Sequence, residues 1–263
     1  MLFEVENLRV SYSMPGGKRF EAVRGVSFTL DEGRTLGIVG ESGSGKSTLA
    51  KALMRIEPAS GGKMLFRGRD VSSFRGRELA AYRRSVQMVF QDATGSMNPR
   101  MTVRSALDET LRIHRRDLSR AGREKRMEEL LERTGLSPAV LDQYPRELSG
   151  GQCQRASFAR ALAVEPSVIV ADEPVSALDV SVQARILNLM RELRDTLGIA
   201  IILVAHDLAV VRNVCDNVCV MNKGVFEESG PSEEVFSSPR SEYAKKLLAA
   251  VPDVARSLAA RRR

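Results

Sequence analysis

Three short stretches of this 263-residue sequence place side chains and glycines where phosphate chemistry needs them. The first is Gly40-Glu41-Ser42-Gly43-Ser44-Gly45-Lys46-Ser47, with the spacing G-x-x-x-x-G-K-[ST] between an apolar run and a helical pattern. Its glycines permit a turn that aims several backbone N–H groups inward. The positive end of the following helix completes a cradle for phosphate oxygens. Lys46 can reach β- and γ-phosphates, and the Ser47 hydroxyl can serve Mg²⁺. The nucleotide contacts expected here are Gly40, Ser42, Gly43, Ser44, Gly45, Lys46, Ser47 and Thr48.

The second stretch, Val168-Ile169-Val170-Ala171-Asp172-Glu173-Pro174, is an apolar strand ending in two acids. Ligands of open α/β sheets bind at the carboxyl edge of the strands, where these carboxylates must lie. Asp172 suits a Mg²⁺ ligand acting through water. Glu173 points differently and suits polarising an attacking water. A strand-end turn is the structural alternative. The third stretch, Leu148-Ser149-Gly150-Gly151-Gln152, sets a capping serine before bare backbone amides, at the opening of a helix expected over 153–164. This is a second anion site. One ATP cannot easily use both loops of one subunit, whereas two copies facing head to tail could close both over one ATP.

The elements that must position these loops follow from periodicity. Alternation at Phe3, Val5, Leu8, Val10 and Tyr12 predicts strands over residues 2–39, broken by turns at Gly16-Gly17 and Asp31-Glu32-Gly33. Leu36-Gly37-Ile38-Val39 leads into the glycine-rich loop, and residues 47–55 read as helix. Residues 61–75 return to short strands and turns. Residues 93–165 are rich in Arg, Glu and Leu at helical spacing, with breaks at Pro138 and Pro145, and predict a helical insertion. Val182, Ile186, Leu189, Met190, Leu193 and Leu197 form the apolar stripe of a further helix. Two continuous apolar strands, at 168–171 and 199–205, imply a parallel sheet covered on both faces. From Pro231 the chain reads as short helices and loops, and no internal repeat is present.

Composition narrows the class. The chain is 43% hydrophobic and 28% charged, which suits a folded globular protein rather than a disordered one. Its longest apolar run, Ile199–Ala205, falls far short of the roughly 20 residues a spanning helix needs. Acids at Glu4 and Glu6 stand where a signal peptide would be apolar, so a cytoplasmic chain is expected. Cys153, Cys215 and Cys219 are too few for a disulfide framework and read as small buried hydrophobes. A net charge of +7 favours acidic partners without choosing among nucleotide, nucleic acid and membrane. The basic residues of 112–126 read as a solvated helix face, and Arg261, Arg262 and Arg263 as a frayed tail.

Taken in order, these motifs resemble the nucleotide-binding subunit of an ATP-binding-cassette (ABC) transporter over residues 2 to about 250. The phosphate loop at 40–47, Gln91 in Val-Phe-Gln-Asp, the signature at 148–152, Asp172-Glu173, Ser176-Ala177-Leu178-Asp179 and His206 match the family's motifs. The resemblance implies an α/β P-loop NTPase (RecA-like) core with N-terminal antiparallel strands and an inserted α-helical subdomain. Residues 1–92 and 166–230 would form the core, 93–165 the helical subdomain and 231–263 a C-terminal extension. It also implies roles for individual residues. Glu173, His206 and Gln91 would be catalytic, with Gln91 also near Mg²⁺ alongside Ser47 and Asp172. Tyr12 would stack on adenine, with strand packing as its rival. Ser149, Gly150, Gly151 and Gln152 would cap the nucleotide of a partner subunit. Asp179 would work across the dimer interface, with a helix cap as its rival, and a satisfied core position is the rival for His206. His114, in His-Arg-Arg, is expected to face solvent.

Residues 91–103, 173–181, Tyr144-Pro145, Ser238-Pro239-Arg240, Tyr243 and 247–252 resemble the oligopeptide, dipeptide and nickel importer ATPases. That resemblance implies ATP and Mg²⁺, two transmembrane permease subunits, a second and non-identical ABC ATPase subunit, and an extracytoplasmic solute-binding protein. It places the chain peripherally on the cytoplasmic face of the inner or plasma membrane. Peptide is the first expectation for the solute, then nickel or another small solute. No cysteine follows Cys219, so no iron–sulfur cluster is expected, and the short tail leans toward a nickel-type or other compact member. A non-transport ABC ATPase acting on nucleic acid is the alternative. Against it, only 126 positions separate Lys46 from Asp172, with no heptad stretch between them, so no nucleic-acid partner is expected.

Overall fold

The computed structural model describes residues 1–176 and 178–249. Along the chain the elements are β1 (Phe3–Ser13), β2 (Arg19–Leu30), β3 (Thr35–Val39), α1 (Lys46–Leu53), β4 (Gly61–Phe66), β5 (Arg69–Asp70), α2 (Gly76–Ser85) and β6 (Val86–Val89). Then follow α3 (Ala93–Ser96), α4 (Val103–His114), α5 (Arg120–Arg133), α6 (Gly150–Leu162), β7 (Val168–Asp172), α7 (Val180–Leu197), β8 (Ala200–Ala205), α8 (Leu208–Val214), β9 (Asn217–Asn222), β10 (Val225–Pro231), α9 (Ser232–Ser237) and α10 (Glu242–Ala249).

Two sheets organise these elements. An antiparallel sheet runs β2-β1-β4-β5. A six-stranded sheet runs β10-β9-β3-β8-β7-β6, with β9, β3, β8, β7 and β6 parallel and only β10 antiparallel at the edge. Every residue of β3, β7 and β8 is buried, as continuous apolar strands require when both faces are covered. Successive residues alternate between two cores. Ile169, Ala171, Ile201 and Leu203 face a core shared with α4 to α8. Val168, Val170, Ile202 and Val204 face one shared with α1, β1 and β2. The expected α/β architecture, with N-terminal antiparallel strands and helices over the 93–165 stretch, is the one observed.

Several local expectations are corrected. The helix expected over 153–164 begins at Gly150, because Ser149 Oγ accepts from the Gln152 N–H at 3.2 Å while Gln152 Oε1 accepts from the Ser149 N–H at 2.8 Å. This reciprocal capping box satisfies donors that a helix start otherwise leaves open. In α7 the buried stripe is only Ile186, Leu189, Met190 and Leu193. Leu197 is 43% exposed, since it sits in the last turn before Gly198, which ends the helix in the left-handed conformation. The basic stretch 112–126 is more than a solvated face. Arg115, Arg123 and Arg126 keep only 25%, 18% and 22% of their side chains exposed, held by Glu165, Asp108 and Glu129 among others. His114 is half-buried in a groove with Met88, Phe90 and Arg160 instead of facing solvent, and burial followed by the nearby Arg84 charge lowers its pKa. The three cysteines are buried free thiols. Burial pushes the Cys219 thiol up to about 11, which keeps it unreactive at neutral pH. Residues 250–263, including the basic end at 261–263, and Ala177 lie outside the described residues.

Candidate active site

Four neighbouring parallel strands end at one edge of the six-stranded sheet, and each delivers a different group there. β3 runs into Gly40, β8 into His206, β7 into Asp172 and Glu173, and β6 into Gln91. Because the strands are parallel, their carboxyl ends coincide, which gathers residues far apart in sequence into one crevice. The crevice is a cavity of about 670 Å³ lined by Tyr12, Phe20, Ala22, Ser42, Gly43, Gly45, Lys46, Ser47, Thr48, Gln91, Glu173 and His206.

Lys46 begins α1 and is buried. Its Nζ donates to Gly40 O and Glu41 O, both at 2.7 Å, and to Ser44 Oγ at 3.4 Å. The loop thus spends its own carbonyls on the ammonium. Burial lowers the Lys46 pKa, opposed by Glu173, Asp172 and Glu41. Ser47 Oγ donates to Asp172 Oδ1 at 3.1 Å. This pairing of a hydroxyl with a carboxylate beside the phosphate loop is an all-oxygen donor set, which fits Mg²⁺ completed by nucleotide phosphates and water.

Glu173 adopts φ +46°, a left-handed conformation uncommon for a side-chain-bearing residue. Its N–H donates to Val204 O at 2.9 Å. In this pose Oε2 accepts from Gln91 Nε2 at 3.1 Å and lies 3.1 Å from His206 Nδ1. Gln91 Nε2 also reaches Ser176 Oγ at 3.3 Å. One carboxylate oxygen therefore joins the ends of β6, β7 and β8.

Asp172 is raised in pKa chiefly by burial, and further by Glu173, against the pull of the Ser47 hydroxyl, Lys51 and Lys46. Its folded pKa lies above its unfolded one. The associated stability is therefore present below the unfolded value and lost as pH rises through the folded value. Asp172→Asn is accordingly expected to raise the melting temperature, measured without added nucleotide at pH 7, by about 2 °C for each kcal/mol regained. The gain should shrink toward pH 4. Calorimetry at both pH values checks this, and an equal gain at both, or none at pH 7, would contradict it.

Tyr12 lines the cavity, its hydroxyl 3.4 Å from Thr48 Oγ1. Phe20 is a residue that sequence reasoning missed. It pairs with Tyr12 across β1 and β2 and is 55% exposed at the cavity mouth. Only the strand register puts the two residues opposite each other. Ser149, Gly150, Gly151 and Gln152 do not reach this cavity. Gly150 instead lines a separate cleft with Gln91, Asp92 and Leu178. Asp179 is also absent from the cavity and caps α7, accepting from the Val182 N–H at 3.0 Å and the Ser181 hydroxyl at 2.7 Å.

Comparison with known proteins places the chain in a family. A family model described as ABC transporter matches residues 23–176. The oligopeptide transport ATP-binding protein OppF of Salmonella typhimurium is 43% identical over 260 residues, covering 96% of this chain and 78% of that protein. OppF of Bacillus subtilis is 44% identical over 252 residues, covering 95% and 82% respectively. A solved dimeric, post-hydrolysis structure of the ATP-binding cassette MJ0796 with ADP and Pi superposes at TM-score 0.80 and 29% identity, covering 88% of this chain and 99% of that one.

Proposed function

The chain belongs to the ABC transporter family and is an ATP-binding, ATP-hydrolysing cassette, and from that premise we propose that it drives uptake of oligopeptides through partner permeases. The observation that carries the mechanism is the single oxygen, Glu173 Oε2, that meets both Gln91 and His206 at the mouth of the phosphate cradle. Relatives named for oligopeptide transport favour peptide over nickel and lend nothing to a nucleic-acid role.

In this mechanism Lys46 exchanges Gly40 O and Glu41 O for the β- and γ-phosphates, while the loop amides orient the chain of phosphates. Ser47 and Asp172, with Gln91 beside them, would hold Mg²⁺, which neutralises developing charge on the phosphates when bound. Glu173 orients and polarises the attacking water, and His206 stabilises the transferring phosphoryl group. Tyr12 and Phe20 offer apolar ring faces to the base. Ser149 and Gly151 lie outside the cavity, which supports their acting on the nucleotide of a second cassette, with Asp179 at the same interface. A pseudo-twofold, head-to-tail pairing with the second cassette would present each signature to the other subunit's phosphate loop. Residues 1–92 and 166–230 serve as the core, 93–165 as the moving helical subdomain, and 231–263 as a C-terminal extension.

The assembly proposed has two transmembrane permeases, a non-identical second cassette and an extracytoplasmic solute-binding protein, with this chain peripheral at the cytoplasmic face. Among the described residues no helix is long and apolar enough to cross a membrane, and in this proposal the permeases supply the spanning parts. Tagged Glu173→Gln protein, drawn from native membranes with MgATP, is expected to bring down those partners, identified by mass spectrometry. The binding protein recovered should then bind peptides and not nickel. Ribosomes, DNA or an absence of membrane proteins would overturn the transport reading, and a nickel-binding partner would overturn the choice of solute.

A further inference from the structure

The Ser238-Pro239-Arg240 and Tyr243 stretch has no part in the mechanism above, yet the fold carries it back to the phosphate loop. β10 ends at Pro231, α9 packs against β9 and β10, and α10 packs against β10. The Glu228 carboxylate on β10 accepts from the Arg240 N–H at 2.9 and 3.0 Å and from the Ser241 N–H at 2.9 Å. Ser241 Oγ then accepts from the Ala244 N–H at 3.0 Å, which caps the first turn of α10. Ala244 is 1% exposed in the core, and Tyr243, Leu247 and Leu248 pack against it.

That seat brings Tyr243 Oη to 3.4 Å from the Glu41 backbone nitrogen, across 202 positions of sequence. Glu41 is a hub of the phosphate loop. Its carbonyl accepts from Lys46 Nζ at 2.7 Å and from the Ser44 N–H at 3.2 Å. When phosphates draw Lys46 away, the lysine bond is lost. The Ser44 N–H and the Tyr243 hydroxyl then remain to hold Glu41 in place.

We propose that the segment from Pro231 to Ala249 is a brace for the phosphate loop, with Tyr243 a positioning residue that sets nucleotide affinity. A loop held from outside has fewer conformations to lose when nucleotide binds, so the brace lowers the ordering cost. Tyr243 touches neither nucleotide nor reacting atoms and acts through Glu41. Burial raises its phenol above the ordinary value against the pull of the Glu41 N–H, with the Glu41 and Glu227 charges adding to the rise, so it is a neutral hydroxyl throughout the working range. The proposal requires only nucleotide binding and stands apart from the choice of transported solute.

Tyr243→Phe keeps the packed ring and removes one neutral hydrogen bond. The dissociation constant for ATP, titrated on the full chain with a fluorescent analogue, is expected to rise about 3- to 10-fold. KM for ATP should rise by the same factor while kcat at saturation stays within about 2-fold. Glu228→Ala frees the first turn of α10 and should reproduce the weakening. In the double variant the two effects should fail to add, since both act through one contact. An ATP affinity in Tyr243→Phe within about 1.5-fold of the parent overturns the proposal. So does a fall in kcat at unchanged affinity. If Glu228→Ala does not fold, the Tyr243→Phe titration alone decides.

Discussion

Glu173→Gln is expected to lower ATP turnover by about 100- to 10,000-fold while leaving ATP binding intact, because it removes the group proposed to polarise the attacking water and little else. The amide matches the carboxylate in size and keeps one oxygen able to accept from Gln91 or His206, both 3.1 Å from Oε2 in the parent. Its pKa, however, makes it useless as a base. The strained φ of +46° at this residue is independent of the side-chain terminus, so the pose survives the change. With the phosphate loop untouched, nucleotide still enters and cannot be cleaved, and ATP-bound dimers should accumulate. Phosphate release measures the first effect. Size-exclusion chromatography with ATP against ADP measures the second. Turnover within about 10-fold of the parent would remove Glu173 from the role of base.

Gly45→Ala should abolish nucleotide binding, with affinity falling at least about 100-fold. Gly45 sits just before α1 at φ +107°, where side-chain-bearing residues are strained. A Cβ there would also lie 2.3 Å from Ala22 O and 2.9 Å from the Met221 side chain. The carbonyl belongs to the sheet and cannot yield cheaply, so the loop must move and its amides lose their aim. Gly43→Ala supplies the contrast. Gly43 has φ +79°, but an added methyl would meet nothing within 4 Å, so its substitution meets backbone strain alone, about 1–2 kcal/mol. Titration of both variants with a fluorescent nucleotide, alongside their melting temperatures, separates the two causes. Equal losses in the two would show that strain and not space governs this loop.

The legible parts of the site share one property: each rests on interactions within a few residues. The phosphate loop is read from its glycines because turn geometry is local. Asp172 and Glu173 are read from an apolar strand that ends in acids. The Ser149 cap is legible for the same reason, although its reciprocal partner Gln152 moved the helix start to Gly150. Misreadings fall where burial depends on distant chain. His114 shares its groove with Met54 and Gln87, and the arginines of 112–126 find acids such as Asp108 and Glu165, which no period in the local sequence marks.

The residue pattern alone specifies the groups on offer: a glycine-rich loop with Lys46, an apolar strand ending in Asp172 and Glu173, a serine cap before bare amides, and a parallel sheet to carry them. Only the tertiary structure decided how these meet. The order β3-β8-β7-β6 sets His206, Glu173 and Gln91 around one oxygen, the β1–β2 register sets Phe20 beside Tyr12, and the seating of α10 by Glu228 sets Tyr243 on Glu41. The physical reason is the range of the forces involved. Turns, caps and periodicity are settled between near neighbours, whereas strand order and helix docking are settled by burying apolar faces contributed from the whole chain.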